Sequence, residues 1–131
     1  MKKISVEFDG TLSRFFNGLS NPIEQDVQNM VKRLIDEGYD VHIITRRYEN
    51  QMLSENRPVL LMAEHLGIDP ENIHFTNRNW KWEIMNELNI DCHLDNDETD
   101  LYYIKNKLTK TIGVSLSKEG VHKFYEIVTK S

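Results

Sequence analysis

Val6-Glu7-Phe8-Asp9-Gly10-Thr11-Leu12 is the stretch on which the reading of this chain turns. Upstream of it Ile4, Val6 and Phe8 alternate with Lys3, Ser5 and Glu7, the period of two expected of a strand whose faces meet different surroundings. A strand is therefore predicted over Lys3 to Phe8. Asp9 and Gly10 end it, because both are turn residues and neither suits a strand interior. The strand thus delivers two carboxylates and a hydroxyl, Glu7, Asp9 and Thr11, to its carboxyl end.

Working outward, strand-like runs alternate with helical ones. Asn21 as N-cap, Pro22 at the first helical position and Glu24 at capping-box spacing open a helix whose apolar face is Ile23, Val27, Met30, Val31 and Leu34. Gly38 stops it. Further strands are predicted over Val41 to Thr45, Ile73 to Thr76, Cys92 to Leu94 and Thr111 to Val114. Helices are predicted over Val59 to Leu66, from about Lys81 to Leu88, over Leu101 to Leu108 and over Val121 to Val128. Such alternation predicts an α/β fold with helices on both faces of a central parallel sheet of about five strands. No repeat or linker divides the chain, so residues 1–131 are read as one domain.

Composition narrows the function classes. Sixteen Lys plus Arg against 21 Asp plus Glu give a net charge of -5, which opposes broad adhesion to nucleic acid or anionic lipid. The longest apolar run, Val59 to Ala63, is too short to span a bilayer, so no membrane association is expected. One cysteine, Cys92, permits no internal disulfide, and Met1-Lys2-Lys3 leads straight into a strand pattern rather than a secretory core. A cytoplasmic location is the expectation.

Ligands of open α/β sheets bind beyond the carboxyl ends of the strands. There the chain places Glu7-Phe8-Asp9-Gly10-Thr11-Leu12, then Thr45-Arg46-Arg47, then Lys81 ahead of the fourth strand, then Asp95-Asn96-Asp97-Glu98-Thr99-Asp100 after it. This set resembles the haloacid dehalogenase superfamily, whose first motif is an apolar strand running into Asp-x-Asp-Gly-Thr-Leu. Thr45 closing Ile43-Ile44-Thr45, Lys81, and the acidic cluster closing His93-Leu94-Asp95 stand in the order of its second, third and fourth motifs. The resemblance implies a three-layer, Rossmann-like fold and a Mg²⁺-dependent phosphohydrolase acting on a phosphomonoester.

It also implies roles. Glu7 would carry the attacking carboxylate or hold metal, and Asp9 would act as general acid and base while its backbone carbonyl touches Mg²⁺. Thr45 and the backbone N–H groups around Gly10 and Thr11 would bind phosphoryl oxygens, with Arg46 beside them, and Lys81 would neutralise charge. Asp95 would ligate the metal. Two positions depart from the pattern. Glu7 stands where the superfamily's phosphatases have an aspartate, and Asn96 where many members have a second acid, leaving Asp97 or Asp100 to supply that charge. An alternative is a catalytically impaired relative that keeps the pocket to bind phosphate, metal or a partner.

Other features carry less. No pair among His42, His65, His74, His93 and His122 has zinc-site spacing. Arg78-Asn79-Trp80-Lys81-Trp82 mixes cations and aromatics as nucleic-acid surfaces do, yet Trp82, Met85 and Leu88 fit a buried helical stripe, so a nucleic-acid role is not favoured. The stretches from Leu12 to Asn21 and Arg46 to Arg57 are too short for a separate cap domain. An open site that admits a large phosphorylated substrate is expected, partly covered by the loop of Phe15, Phe16 and Asn17.

Overall fold

The computed structural model describes residues 2–14 and 21–130; Phe15, Phe16 and Asn17 lie outside the described residues. Five parallel strands, β1 (Lys3–Val6), β2 (Asp40–Thr45), β3 (Ile73–Phe75), β4 (Cys92–Asp95) and β5 (Ile112–Ser115), form one sheet in the order β3-β2-β1-β4-β5. The helices are α1 (Pro22–Asp36), α2 (Arg57–Leu66), α3 (Trp82–Leu88), α4 (Glu98–Lys107) and α5 (Val121–Thr129). β1 lies centrally, with Ile4 beside both Val41 of β2 and Cys92 of β4. The chain order reverses between β1 and β4, where a crevice opens at the carboxyl edge.

The two faces of the sheet are unlike. One carries Ile4, Val6, Val41, Ile43, Cys92, Leu94 and Val114 against α1, α2 and α5, which supply Val27, Val31 and Leu34, Val59 and Leu66, and Phe124 and Val128. On the other, Ile44 packs with Met85 of α3 and Ile104 of α4 in a smaller cluster. Ser5, Glu7, His93 and Asp95 alternate with the apolar residues of β1 and β4 and are all buried. That second face is where the chemistry-bearing side chains collect.

Local signals explain most boundaries. Asn21 accepts from the amides of Ile23 and Glu24 while the Glu24 carboxylate accepts from the Asn21 amide, the reciprocal cap expected at the start of α1. β1 ends two residues before the predicted Phe8, because the Phe8 carbonyl accepts from the amides of Leu12 and Ser13, both at 3.0 Å, and so closes a turn. α4 begins at Glu98 rather than Leu101, since the Asp97 side chain caps the amides of Thr99 and Asp100 before any apolar period starts. α2 likewise begins at Arg57, two residues ahead of the predicted Val59. None of the described helices is long and apolar enough to cross a membrane.

Candidate active site

A buried ion cluster sits beneath the crevice. The Lys81 ammonium, 1% exposed, lies 2.7 Å from Glu7 Oε2, 2.6 Å from Asp95 Oδ2 and 2.9 Å from Asp100 Oδ2. One ammonium therefore lies within ion-pair distance of three carboxylates and donates a hydrogen bond to Asp95 Oδ2, while Asp100 Oδ2 accepts none. The Lys81 amide donates to Asp100 Oδ1 at 3.2 Å, which fixes the start of α3 against α4. Burial alone would depress the lysine, but Glu7, Asp95 and Asp100 outweigh it, and the ammonium stays charged well above the ordinary lysine range.

Glu7 and Asp95 share this cation unequally. Asp95 Oδ2 also meets His93 Nε2 at 2.8 Å, and its Oδ1 accepts from the Asp97 amide at 2.9 Å. Against burial, which would raise it, the His93 and Lys81 contacts hold Asp95 well below the usual carboxylate range. An ionised Asp95 only accepts, so His93 Nε2 donates to it, and His93 Nδ1 lies 2.7 Å from the Ser5 hydroxyl. Glu7 has one further donor, the Phe8 amide at 2.6 Å. Burial pushes Glu7 up to about 7, Lys81 opposes the shift, and the charges of Asp95 and Asp9 add to it.

That shift has a sign that can be checked. A carboxyl raised from 4.5 to about 7 on folding contributes stability that is complete below pH 4.5 and is lost as pH rises through about 7. Urea midpoints of the wild type should therefore fall between these limits more than those of Glu7→Gln, whose side chain cannot ionise. Parallel pH profiles of the two proteins would contradict the shift.

Above the cluster opens a cavity of about 600 Å³, bordered by Glu7, Asp9, Thr45, the arginines 46, 47 and 78, and Asn96 with Asp97. Asp9 is gripped by the Arg47 fork, Nε to Oδ2 and Nη2 to Oδ1, both at 2.8 Å, and Arg47 Nη1 donates to the Glu55 carbonyl. Thr45 Oγ1 accepts from the Arg47 amide at 3.3 Å, leaving its own proton to donate elsewhere.

The structure thus brings Glu7, Lys81 and Asp95 into contact and sets Asp9, Thr45 and Arg46 on the cavity wall. Gly10 and Thr11 differ from the rest: their amides are engaged inside the turn, with Ser13 O at 2.6 Å and Phe8 O at 3.3 Å, and neither residue borders the cavity. Gly10 instead admits Asn96. It has φ +75°, and a Cβ there would stand 2.2 Å from Asn96 Nδ2. Gly10→Ala should lower stability by about 1–3 kcal/mol, and Asn96→Ala should restore part of it by removing the collision. A calorimetric melt of both variants checks this; no recovery in the double variant would locate the whole cost in the backbone.

Nothing in the sequence pattern pointed to the Arg47 grip on Asp9 or the Ser5–His93 contact. Arg47 differs from Arg46 only in direction, which no pattern encodes. His93 was visible as the alternate residue of an apolar strand next to Asp95.

Among the described residues no group of three acidic, histidine or cysteine side chains is placed to hold a metal ion, and the one point where three carboxylates converge is filled by the Lys81 ammonium. A cation would have to rest on the carboxylates of Glu7 and Asp95, backbone carbonyl oxygen and water. All are hard oxygen donors, and Mg²⁺ commonly keeps several waters beside one or two carboxylates, so the residues suit it chemically.

No family profile matches the chain, and no curated protein sequence does. Solved structures do. One is a Vibrio cholerae protein provisionally assigned as a 3-deoxy-D-manno-octulosonate 8-phosphate phosphatase, 20% identical, with 98% of this chain and 71% of that one covered at a TM-score of 0.52. At that identity the likeness is one of fold. Together with the five-stranded parallel sheet, it shows a three-layer α/β fold shared with that protein.

Proposed function

We propose that this protein hydrolyses phosphomonoesters. The observation that supports the reading is the pairing of Glu7, buried on Lys81, with Asp9, oriented by Arg47, on one wall of an open cavity at the carboxyl ends of the strands. Ionised Glu7 attacks phosphorus, a carboxylate–phosphorus bond forms, and the bond from phosphorus to the ester oxygen breaks. Asp9, having taken a proton from solvent with one hydrogen bond of the Arg47 fork released, gives it to the departing oxygen. It then takes one from the water that frees inorganic phosphate and regenerates Glu7, and so returns to its protonated form. Thr45 donates its hydroxyl proton to a phosphoryl oxygen. Lys81 keeps Glu7 in place and balances its charge. Glu7, Asp95 and the Asp9 carbonyl are the groups that would hold Mg²⁺, which when bound would supply positive charge to balance the phosphoryl oxygens.

The cavity is open, which suits large phosphorylated substrates, and residues 1–131 are taken as one domain without a cap. Hydrolysis of an aryl phosphate with and without Mg²⁺ tests the reading: turnover should require the ion and vanish in Asp9→Asn with the fold intact. Equal turnover in Asp9→Asn would overturn it.

One observation favours a second reading, retention of the pocket for phosphate binding without turnover. Both Glu7 oxygens are engaged, one by Lys81 and one by the adjacent Phe8 amide. Tight phosphate binding by a protein inactive with every phosphomonoester tried is the result that reading expects.

A further inference from the structure

The positive charge around the cavity is not spent evenly. Arg47 is paired with Asp9, while Glu55, which also borders the cavity, is paired with Arg57 at 3.1 Å. Arg46 only approaches Asp97, at 4.0 Å. Among the described residues Arg78 has no carboxylate partner, although it lines the same cavity. Two arginines therefore face an open space whose other carboxylates, Glu7, Asp9 and Glu55, are paired with other cations, and a guanidinium fork matches a phosphate edge.

Arg78 is held in place at a conformational cost. Asn77 and Arg78 have φ of +55° and +71°, consecutive left-handed residues that are not glycine. Such conformations cost of order 1 kcal/mol or more each and persist where neighbours enforce them. Here the enforcement runs between the β2 and β3 loops: the Asn77 amide donates to Arg47 O at 3.1 Å, the Arg78 amide to Arg46 O at 2.7 Å, and the Asn77 side chain accepts from the Glu49 amide at 2.8 Å. Arg46 Nη2 returns the contact to the Arg78 carbonyl at 3.1 Å. The Arg46 guanidinium rests on the Trp80 ring, 4.3 Å from its centroid, and its Nε is buried with no acceptor. None of these contacts serves the Glu7–Lys81 cluster.

We infer that Arg46 and Arg78 form a second anion subsite, which takes a further phosphate group of a substrate whose scissile phosphomonoester lies beside Glu7. The inference takes from the proposed function only the position of that first phosphoryl group. The second phosphate is either a monoester, as in a nucleoside 3′,5′-bisphosphate, or a diester, as in a phosphorylated strand end; both present the same oxygens to the guanidinium forks. Attraction of this kind is local and salt-sensitive, so it is compatible with an acidic chain.

The test is a binding measurement in Mg²⁺-free buffer, independent of turnover. Titration calorimetry on the full chain compares adenosine 5′-monophosphate, adenosine 3′,5′-bisphosphate and a 5′-phosphorylated dinucleotide, with the wild type and Arg78→Gly. Glycine accepts the left-handed backbone, so this variant removes the side chain and keeps the loop. The bisphosphate should bind about tenfold more tightly than the monophosphate, the equivalent of about 1.4 kcal/mol, and Arg78→Gly should erase the difference. The same Arg78-dependent gain with the dinucleotide supports the subsite and assigns it a diester; a gain with the bisphosphate alone supports it and assigns a monoester. Equal affinity for one and two phosphates, or a gain that survives Arg78→Gly, overturns it. Absence of turnover alongside an Arg78-dependent gain would sink the hydrolase reading alone.

Discussion

Lys81→Met should be the most damaging single substitution in this protein. Methionine fills much of the lysine volume, so little packing is lost. What remains is three carboxylates, those of Glu7, Asp95 and Asp100, converging on an apolar methyl group in a region 8% exposed or less. Removing one partner of a buried ion pair leaves an uncompensated charge and typically costs about 3–5 kcal/mol. For a domain of this size that lowers the melting temperature by about 10 °C or more. The loss should shrink as pH falls, since protonated carboxyls no longer need the cation. A pH-independent loss would mean that Lys81 stabilises by packing rather than by charge.

The largest effect on activity is expected at Glu7. Glu7→Gln removes the ionised oxygen and should abolish turnover. Glu7→Asp is the more informative change. It draws the carboxylate back by about one methylene, which frees it from the close contact with the Phe8 amide, 2.6 Å away, and sets the length that the superfamily resemblance implies for this position. A displacement of that size alters a positioned reaction by about a hundredfold. We expect aryl phosphate turnover to rise by that factor in Glu7→Asp. A fall to the level of Glu7→Gln would show instead that the pocket is built around the longer side chain. In the wild type, turnover should increase as pH rises through about 7, where Glu7 loses its proton.

The other buried titratable groups are quiet by comparison. Burial pushes the Cys92 thiol up to about 12, which leaves it unreactive on the apolar face of β4. His42 and His74 stack with ring centroids 5.2 Å apart, and neither borders the cavity. Trp80, the aromatic of the mixed segment, is half-buried under Arg46 rather than free in solvent.

The layering of the fold was legible in the amino-acid order alone. Period-two alternation in Ile4-Ser5-Val6-Glu7, helical period in Val27 to Leu34, and the Asn21-Pro22-Glu24 cap are short-range physics, legible without coordinates. Order along the chain also put Glu7, Asp9, Thr45, Lys81 and Asp95 near strand ends. The tertiary structure alone decided who pairs with whom. Lys81 is 74 residues from Glu7 and 19 from Asp100 in the chain, yet one ammonium joins them, because the β1–β4 register and the packing of α3 on α4 set three carboxylates around one buried point. Likewise, only the close approach of the β2 and β3 loops turned Arg46 and Arg78 toward one space and left Arg47 to Asp9. Such pairings follow from charge desolvation, which depends on the three-dimensional surroundings of a side chain and not on its neighbours in sequence.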